Sequence, residues 1–308
     1  MADAELEQFK TGVNLSEMAA SRGYALDRRE SSRNSAVMRH PNGDKIVIAR
    51  HEDGGAWVYF SVRDSGDNGT VIDFLQKRDG GSLGEVRKSL RAWLGSPRPT
   101  IPEASFACDL LPITRDRAAV LAAWERARRC LSLPYLTNRG LGLNVLGLPR
   151  FAGCVRVDER GNALFPHYDR QGLCGFEIKN KGFTGFATGG VKGVWYSKAQ
   201  TTDTRLVLTE SAIDAMSFHT LQGDETTRYM STGGSMNPQQ PAFLRGAMEK
   251  LPPGGVVLLA FDRDDGGEKL AEEVQSFAPS GRDVRRVLPD VGTGKDWNDA
   301  LKCQLGLS

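Results

Sequence analysis

Val256-Val257-Leu258-Leu259-Ala260-Phe261-Asp262-Arg263-Asp264-Asp265-Gly266-Gly267 decides how this chain is read. Six consecutive apolar residues bounded by turn signals read as a strand covered on both faces, the centre of a parallel sheet. The Asp-x-Asp step leaving it sets two carboxylates beyond the strand's carboxyl end, where open α/β sheets bind ligands. Outward from this stretch, strands are expected over Arg205–Thr209, Arg228–Ser231 and Val284–Leu288. Helices alternate with them over Ser211–Leu221, Pro238–Lys250, Glu268–Phe277 and Trp297–Leu301. That alternation predicts an α/β fold with a mostly parallel, Rossmann-like sheet. Glu210 follows the first strand, and Asp290, Asp296 and Asp299 follow the last, so acidic residues gather on one edge. Mg²⁺ takes a few carboxylates together with substrate phosphate oxygens, and neutralises charge on a transferring phosphoryl group. A single strand-end aspartate is better explained as a helix cap. Glu210, Asp262 and Asp264 at the tips of one sheet favour the metal.

The chain has 308 residues, enough for two or three modest domains, and 40 Lys plus Arg against 38 Asp plus Glu give a formal charge of +2. A near-neutral total leaves nucleic-acid binding to local clustering of charge. The 40% hydrophobic and 25% charged fractions are those of a water-soluble globular protein. No apolar run approaches the roughly 20 residues of a membrane helix, and Met1–Glu5 lacks the charged and apolar regions of a signal peptide. A cytoplasmic protein without membrane contact is expected. Cysteines 108, 130, 154, 174 and 303 are scattered and form no C-x-x-C pair, which argues against a disulfide framework and a thiolate zinc site.

Composition divides the chain. Gly95-Ser96-Pro97-Arg98-Pro99, with Pro102 and Pro112 behind it, reads as a linker over 95–112. Ahead of it, Lys45–Arg50 and Ala56–Val62 form a hairpin joined by His51–Gly55. Thr70–Lys77 and Ser82–Leu94 follow as helices, the second opened by a Ser82/Glu85 capping box. Arg22, Arg28, Arg29, Arg33, Arg39, Lys45 and Arg50, with Trp57, Tyr59 and Phe60, would suit a single strand by charge and stacking, or a solvated face over an aromatic core. Arg115, Arg117, Arg126, Arg128, Arg129 and Arg139 read as one basic helix leading to the Tyr135 motif. Between Lys179 and Lys192, glycines alternate with Lys179, Lys181 and Lys192. Such a segment brings backbone and cations close to a phosphate, or forms plain β-turns. No Walker A pattern occurs, so no helicase motor is visible, and His167 and His219 read as structural.

Four motifs in order resemble a Toprim domain, the metal-binding fold of DnaG-type primases, type IA and II topoisomerases, OLD nucleases and recombination-repair proteins. They are Leu206–Ala215, Ser231–Gly234, Ala260–Gly267 and Gly294–Asp299. Tyr135-Leu136-Thr137-Asn138-Arg139-Gly140, Asn162–Gly172 and Lys192–Tyr196 resemble the DnaG catalytic core and uncharacterised Toprim proteins of plasmids and mobile elements. Asn68–Leu75 resembles the end of the primase zinc ribbon, yet residues 1–107 contain no cysteine. The resemblance implies a primase-ribbon-like α+β module without zinc over 1–94, the linker over 95–112, an α+β primase-core N-terminal subdomain over 113–200, and a Toprim domain over 201–308.

By the same resemblance Glu210 is the acid–base residue, Asp262 and Asp264 are Mg²⁺ ligands alongside it, and Asp214, Asp265 and Asp296 are secondary acids. Ser211 stands where primases usually carry Gly. Arg139, Lys179, Lys181, Lys192, Arg22, Arg28 and Arg29 are the expected nucleotide or nucleic-acid contacts. The implied function is primer synthesis from NTPs on single-stranded DNA, with Mg²⁺ or Mn²⁺ and no zinc, in plasmid or mobile-element replication or transfer. A separate helicase or relaxase is the further candidate partner. A Toprim nuclease using water as nucleophile, and a binding protein that kept the fold, are the alternatives.

Overall fold

The computed structural model describes residues 3–51, 55–62, 67–95, 101–102, 105–112, 114–290 and 294–307. The chain divides into two units, Met1–Thr114 and Arg115–Ser308. Ser96–Pro99 of the expected linker, His51–Gly55 apart from its end residues, and Gly292-Thr293 lie outside the described residues.

In the first unit, α1 (Ala4–Gly12) and α2 (Leu15–Ala20) start on side-chain caps from Asp3 and Asn14. An antiparallel meander follows in sheet order: β1 (Ala25–Leu26), β2 (Ser35–Arg39), β3 (Lys45–Arg50), β4 (Trp57–Ser61) and β5 (Asn68–Thr70). Helices α3 (Val71–Asp79) and α4 (Leu83–Gly95) close the unit. Ile46, Ile48, Trp57 and Tyr59 of the sheet pack with Phe9, Met18, Phe74, Leu75 and Leu90 of the helices. Arg78 ties this unit together. Its guanidinium bonds Asp44 at 2.9 Å and Asp67 at 2.6 Å, and Tyr59 donates to Asp67 at 2.6 Å.

The second unit opens with α5 (Arg117–Arg126). A second antiparallel sheet runs in the order β10 (Phe183–Phe186), β9 (Gly172–Asn180), β8 (Ala163–Asp169), β7 (Arg156–Val157), β6 (Arg128–Arg129). Two single turns, α6 (Pro134–Thr137) and α7 (Leu143–Leu146), lie between β6 and β7. The expected basic helix is therefore shorter than its arginine run. It stops at Arg126, where the Arg156 guanidinium takes the Trp124 carbonyl at 2.6 Å, and Arg128-Arg129 become an edge strand.

The third sheet has the order β11 (Trp195–Tyr196), β13 (Thr227–Ser231), β12 (Arg205–Thr209), β14 (Val256–Leu259), β15 (Asp283–Arg286). All pairings are parallel except β11 with β13. The mostly parallel α/β class expected from the sequence is the one observed. Its centre is β12, and β14 is the neighbouring strand. β14 ends at Leu259 although the apolar run continues: Ala260 donates the last bond, to the Leu208 carbonyl at 2.8 Å, and Phe261 then turns into the core. Helices α8 (Ala212–Gln222) and α11 (Trp297–Leu305) contribute Ile213, Phe218, Trp297 and Leu301 to one core. Leu136, Val145 and Phe165, from the segment before the third sheet, belong to that same core. On the other face, α9 (Gln240–Glu249) and α10 (Asp265–Phe277) contribute Leu244, Met248, Leu270 and Val274. No described helix is long and apolar enough to cross a membrane.

Candidate active site at the carboxyl edge of the parallel sheet

Three helices begin where strands end, and each begins on an acidic or hydroxyl cap. Ser211 caps α8, Asp264 caps α10 through the Gly267 amide at 2.9 Å, and Asp296 caps α11 through the Asp299 amide at 2.7 Å. Capping satisfies amides that a helix start leaves unpaired, and here it fixes where the carboxylates stand. A Cβ on residue 267 would collide with the Asp262 backbone, so only glycine lets α10 start this close to the end of β14.

Glu210 leaves β12, and its carbonyl accepts the Gly233 and Gly234 amides at 2.8 and 3.1 Å. Both glycines have positive φ, +67° and +86°, which glycine adopts without strain. Asp262 leaves β14 almost fully buried, and its Oδ1 has no hydrogen-bond partner among the described residues. Burial and the neighbouring Glu210 and Asp296 push its carboxyl up to about 7. Glu210 is raised by burial and by Asp214, and buried Asp214 is raised by burial, Asp296 and Asp262. These shifts share one cause: several carboxylates face each other out of water. Asp264 goes the other way, held below the usual range by the Lys295 ammonium 2.7 Å from its Oδ2. The same ammonium lies 3.4 Å from Asp262 Oδ2.

Asp214 is tied to α11. It accepts from the Asn298 amide at 3.2 Å and the Ser211 hydroxyl at 2.5 Å. The Asn298 side chain donates to the Arg139 carbonyl at 2.8 Å and accepts from its guanidinium at 2.9 Å. Arg139 also stacks on Tyr135.

A buried polar line comes in from the antiparallel sheet. Both His167 ring nitrogens face acceptors, Gly193 O at 2.9 Å and Glu177 Oε1 at 3.1 Å, and Glu177 Oε2 pairs with Lys179 at 2.9 Å. Burial pushes the Glu177 carboxyl up, but Lys179 and His167 outweigh it and hold the group down at about 2. Lys179 in turn feels Asp214, and Lys192 feels Glu210. Lys192 donates to the Ser235 carbonyl at 2.6 Å.

Glu210, Asp214, Asp262, Asp264 and Asp296 thus meet at one edge, with Lys179 and Lys192 beside them. Lys181 and Asp265 are exposed, the first after β9 and the second in the first turn of α10. Arg22, Arg28 and Arg29 belong to the first unit, where Arg22 pairs with Asp79 at 2.5 Å and Arg28 and Arg29 are exposed. Glu177, Lys295 and Asn298 carried no role in the sequence reading. A charged residue inside the apolar run of β9 was the available signal for Glu177.

Among the described residues, no three His, Cys, Asp or Glu side chains are grouped so that they could hold a metal ion. The donor set still fits a hard cation in kind. It is carboxylate oxygen throughout, and buried Asp262 Oδ1 has no hydrogen-bond partner among the described residues.

Residues 207–301 match the Toprim-like family model. The chain carries a Toprim-like domain. Residues 134–203 match a family described as a protein of unknown function (DUF3991). No curated protein matches the chain. Among solved structures it is similar to the primase fragment of the bacteriophage T7 primase-helicase protein, at 16% identity over 84% of this chain and 95% of that one, with a TM-score of 0.45. It is also similar to the zinc-binding and RNA polymerase domains of the Aquifex aeolicus primase, at 13% identity over 99% and 83%, with a TM-score of 0.38. The Toprim-like assignment rests on the 207–301 match and on the sheet that carries it.

Proposed function

We propose that the chain is a primase-like nucleotidyltransferase that joins NTPs on single-stranded DNA with Mg²⁺, or with Mn²⁺ in its place. The observation that carries this reading is that Lys192 donates to the Ser235 carbonyl, next to the Gly233 and Gly234 amides that hold the Glu210 carbonyl, while Lys179 pairs with Glu177 on the adjoining sheet. Carboxylates alone suit many phosphoryl transfers. Cations set beside them favour a polyphosphate, which carries more charge than the single phosphodiester a nuclease cuts.

In this reading the 3′-hydroxyl of one nucleotide attacks the α-phosphate of the next, and the bond to pyrophosphate breaks. Glu210 accepts the hydroxyl proton, its basicity raised by burial. Lys179, Lys192 and the exposed Lys181 bear on the triphosphate and template, while Arg139, locked to Asn298, holds α11 and Asp296 in place. Arg22, Arg28 and Arg29 are the proposed template contacts of the N-terminal unit. Asp262, Asp264 and Glu210 would hold the ion. Bound there, Mg²⁺ supplies charge neutralisation at the reacting phosphate. A separate helicase or relaxase, and a plasmid or mobile-element setting, belong to the same proposal.

The test incubates the full chain with single-stranded DNA and labelled NTPs, with Mg²⁺ or Mn²⁺, and scores synthesis and degradation together. Short products from wild type, absent from Glu210→Gln and Asp264→Asn, are expected. Loss of the template without new product would assign a nuclease. Binding that ignores the metal, with neither product, would leave a binding protein.

A further inference from the structure

Both carboxylates of the Asp-x-Asp step share one partner, the ammonium of Lys295. It lies 2.7 Å from Asp264 Oδ2 and 3.4 Å from Asp262 Oδ2. The other Asp264 oxygen is committed to the Gly267 amide as the helix cap. A cation that used Asp264 without unwinding α10 must therefore take the oxygen that Lys295 holds. The Lys295 backbone is fixed: its amide donates to Asp299 at 3.0 Å, and its carbonyl accepts from the Arg263 amide at 2.7 Å. Its side chain is 58% exposed and is free to swing into water. We propose that Lys295 is an exchangeable internal counter-ion: it holds Asp262 and Asp264 until a divalent cation takes them, and the released ammonium then pairs with the substrate's phosphates. The inference rests on the reading of these carboxylates as cation ligands, but not on the reaction being primer synthesis.

Two consequences separate this exchange from a plain surface ion pair. Removing the ammonium frees both oxygens, so the cation should bind more tightly. A polyphosphate that draws Lys295 away should also tighten cation binding in wild type, and by reciprocity the cation should tighten the polyphosphate.

Mn²⁺ binding to the full chain, followed by electron paramagnetic resonance with and without inorganic tripolyphosphate, reads both. Lys295→Met should bind Mn²⁺ about fivefold tighter than wild type, the weight of a half-exposed ion pair worth about 1 kcal/mol. Part of the tightening by tripolyphosphate should disappear in that variant. Lys295→Gln, smaller and polar, should repeat both effects if the Met variant folds poorly. Arg263→Met removes an exposed charge from the same turn without touching a carboxylate, and should change Mn²⁺ affinity much less. Equal affinity in wild type and both Lys295 variants would overturn the exchange. So would an Arg263 effect as large as that of Lys295, since general charge would then suffice. Absence of Mn²⁺ binding in every form would reject the cation site itself, whatever polymerase or nuclease activity the chain shows.

Discussion

Replacing Glu177 by Gln keeps the shape of the His167–Glu177–Lys179 line and removes its charge. The wild-type carboxyl is held down at about 2 against an ordinary 4.5. At 1.36 kcal/mol per pH unit, that gap corresponds to roughly 3 kcal/mol of folding stability. A depressed carboxylate contributes this stability above its unfolded pKa, and the contribution is lost as pH falls from about 4.5 toward about 2. Lys179 is also left as a mostly buried ammonium without its counter-ion, and breaking a buried pair from one side costs about 3–5 kcal/mol. Urea denaturation of wild type and E177Q, near neutrality and in steps down to about pH 3, measures both quantities. The expected difference is about 3 kcal/mol at neutral pH and shrinks steadily through the acid range. In nucleotide assays KM for NTP should rise more than kcat falls, because Lys179 loses its orientation while Glu210 keeps its own. A stability difference that stays constant with pH would refute the reasoning, since the carboxylate would then have no charge-dependent role in the fold.

Arg78→Ala should cost the N-terminal unit about 2–3 kcal/mol, because Asp44 and buried Asp67 lose the guanidinium they share and, of the described cations, only Lys77 remains, 3.6 Å from Asp67, and a chelator should leave the wild-type melting temperature unchanged. Gly267→Ala should lower stability by about 1–3 kcal/mol and weaken Mn²⁺ binding, as the added methyl pushes α10 away from Asp262. Replacing Arg28 and Arg29 together by Ala should flatten the salt dependence of single-stranded DNA binding, by about 0.7 in log–log slope for each phosphate no longer neutralised. Arg22→Ala should flatten that slope as well and, unlike the other two, lower stability, since Arg22 also pairs with Asp79.

Period and strand-end chemistry were legible in the sequence. Arg205–Thr209 is a strand over the residues expected, and Glu210, Asp262 and Asp264 do stand at one edge. What local pattern could not resolve was where an apolar run stops being ladder. Ala260 and Phe261 are as apolar as Leu259, and Ala260 still donates to Leu208 of β12, but its carbonyl takes the Trp297 indole and the Phe261 carbonyl takes the Arg286 guanidinium in place of a further strand amide. Glu177 was missed because its role depends on register. His167 pairs with Gly175 across the β8–β9 hairpin, which brings Glu177 diagonally under the imidazole. Lys295 meets Asp264 only after the chain has crossed from β14 through α10 and β15, a proximity with no trace in nearby spacing. The Asp264 cap illustrates a different limit. Capping and ligation are not rivals at this residue, because one carboxylate has two oxygens and serves the helix with only one of them.

The start of α8, α10 and α11 at the same edge gives the acidic cluster an electrostatic setting of its own. Each helix presents the positive end of its macrodipole, equivalent to roughly half an elementary charge, to the acidic edge, α10 and α11 to the carboxylates that cap them and α8 to Asp214 in its own first turn. Three such ends offset part of the repulsion among Glu210, Asp214, Asp262 and Asp296 with backbone charge that cannot swing away or titrate. A dense set of acids can thus persist in a folded sheet before any cation arrives. Fraying any one helix start withdraws that fixed partial charge from the acids of its own first turn and raises the repulsion they must bear.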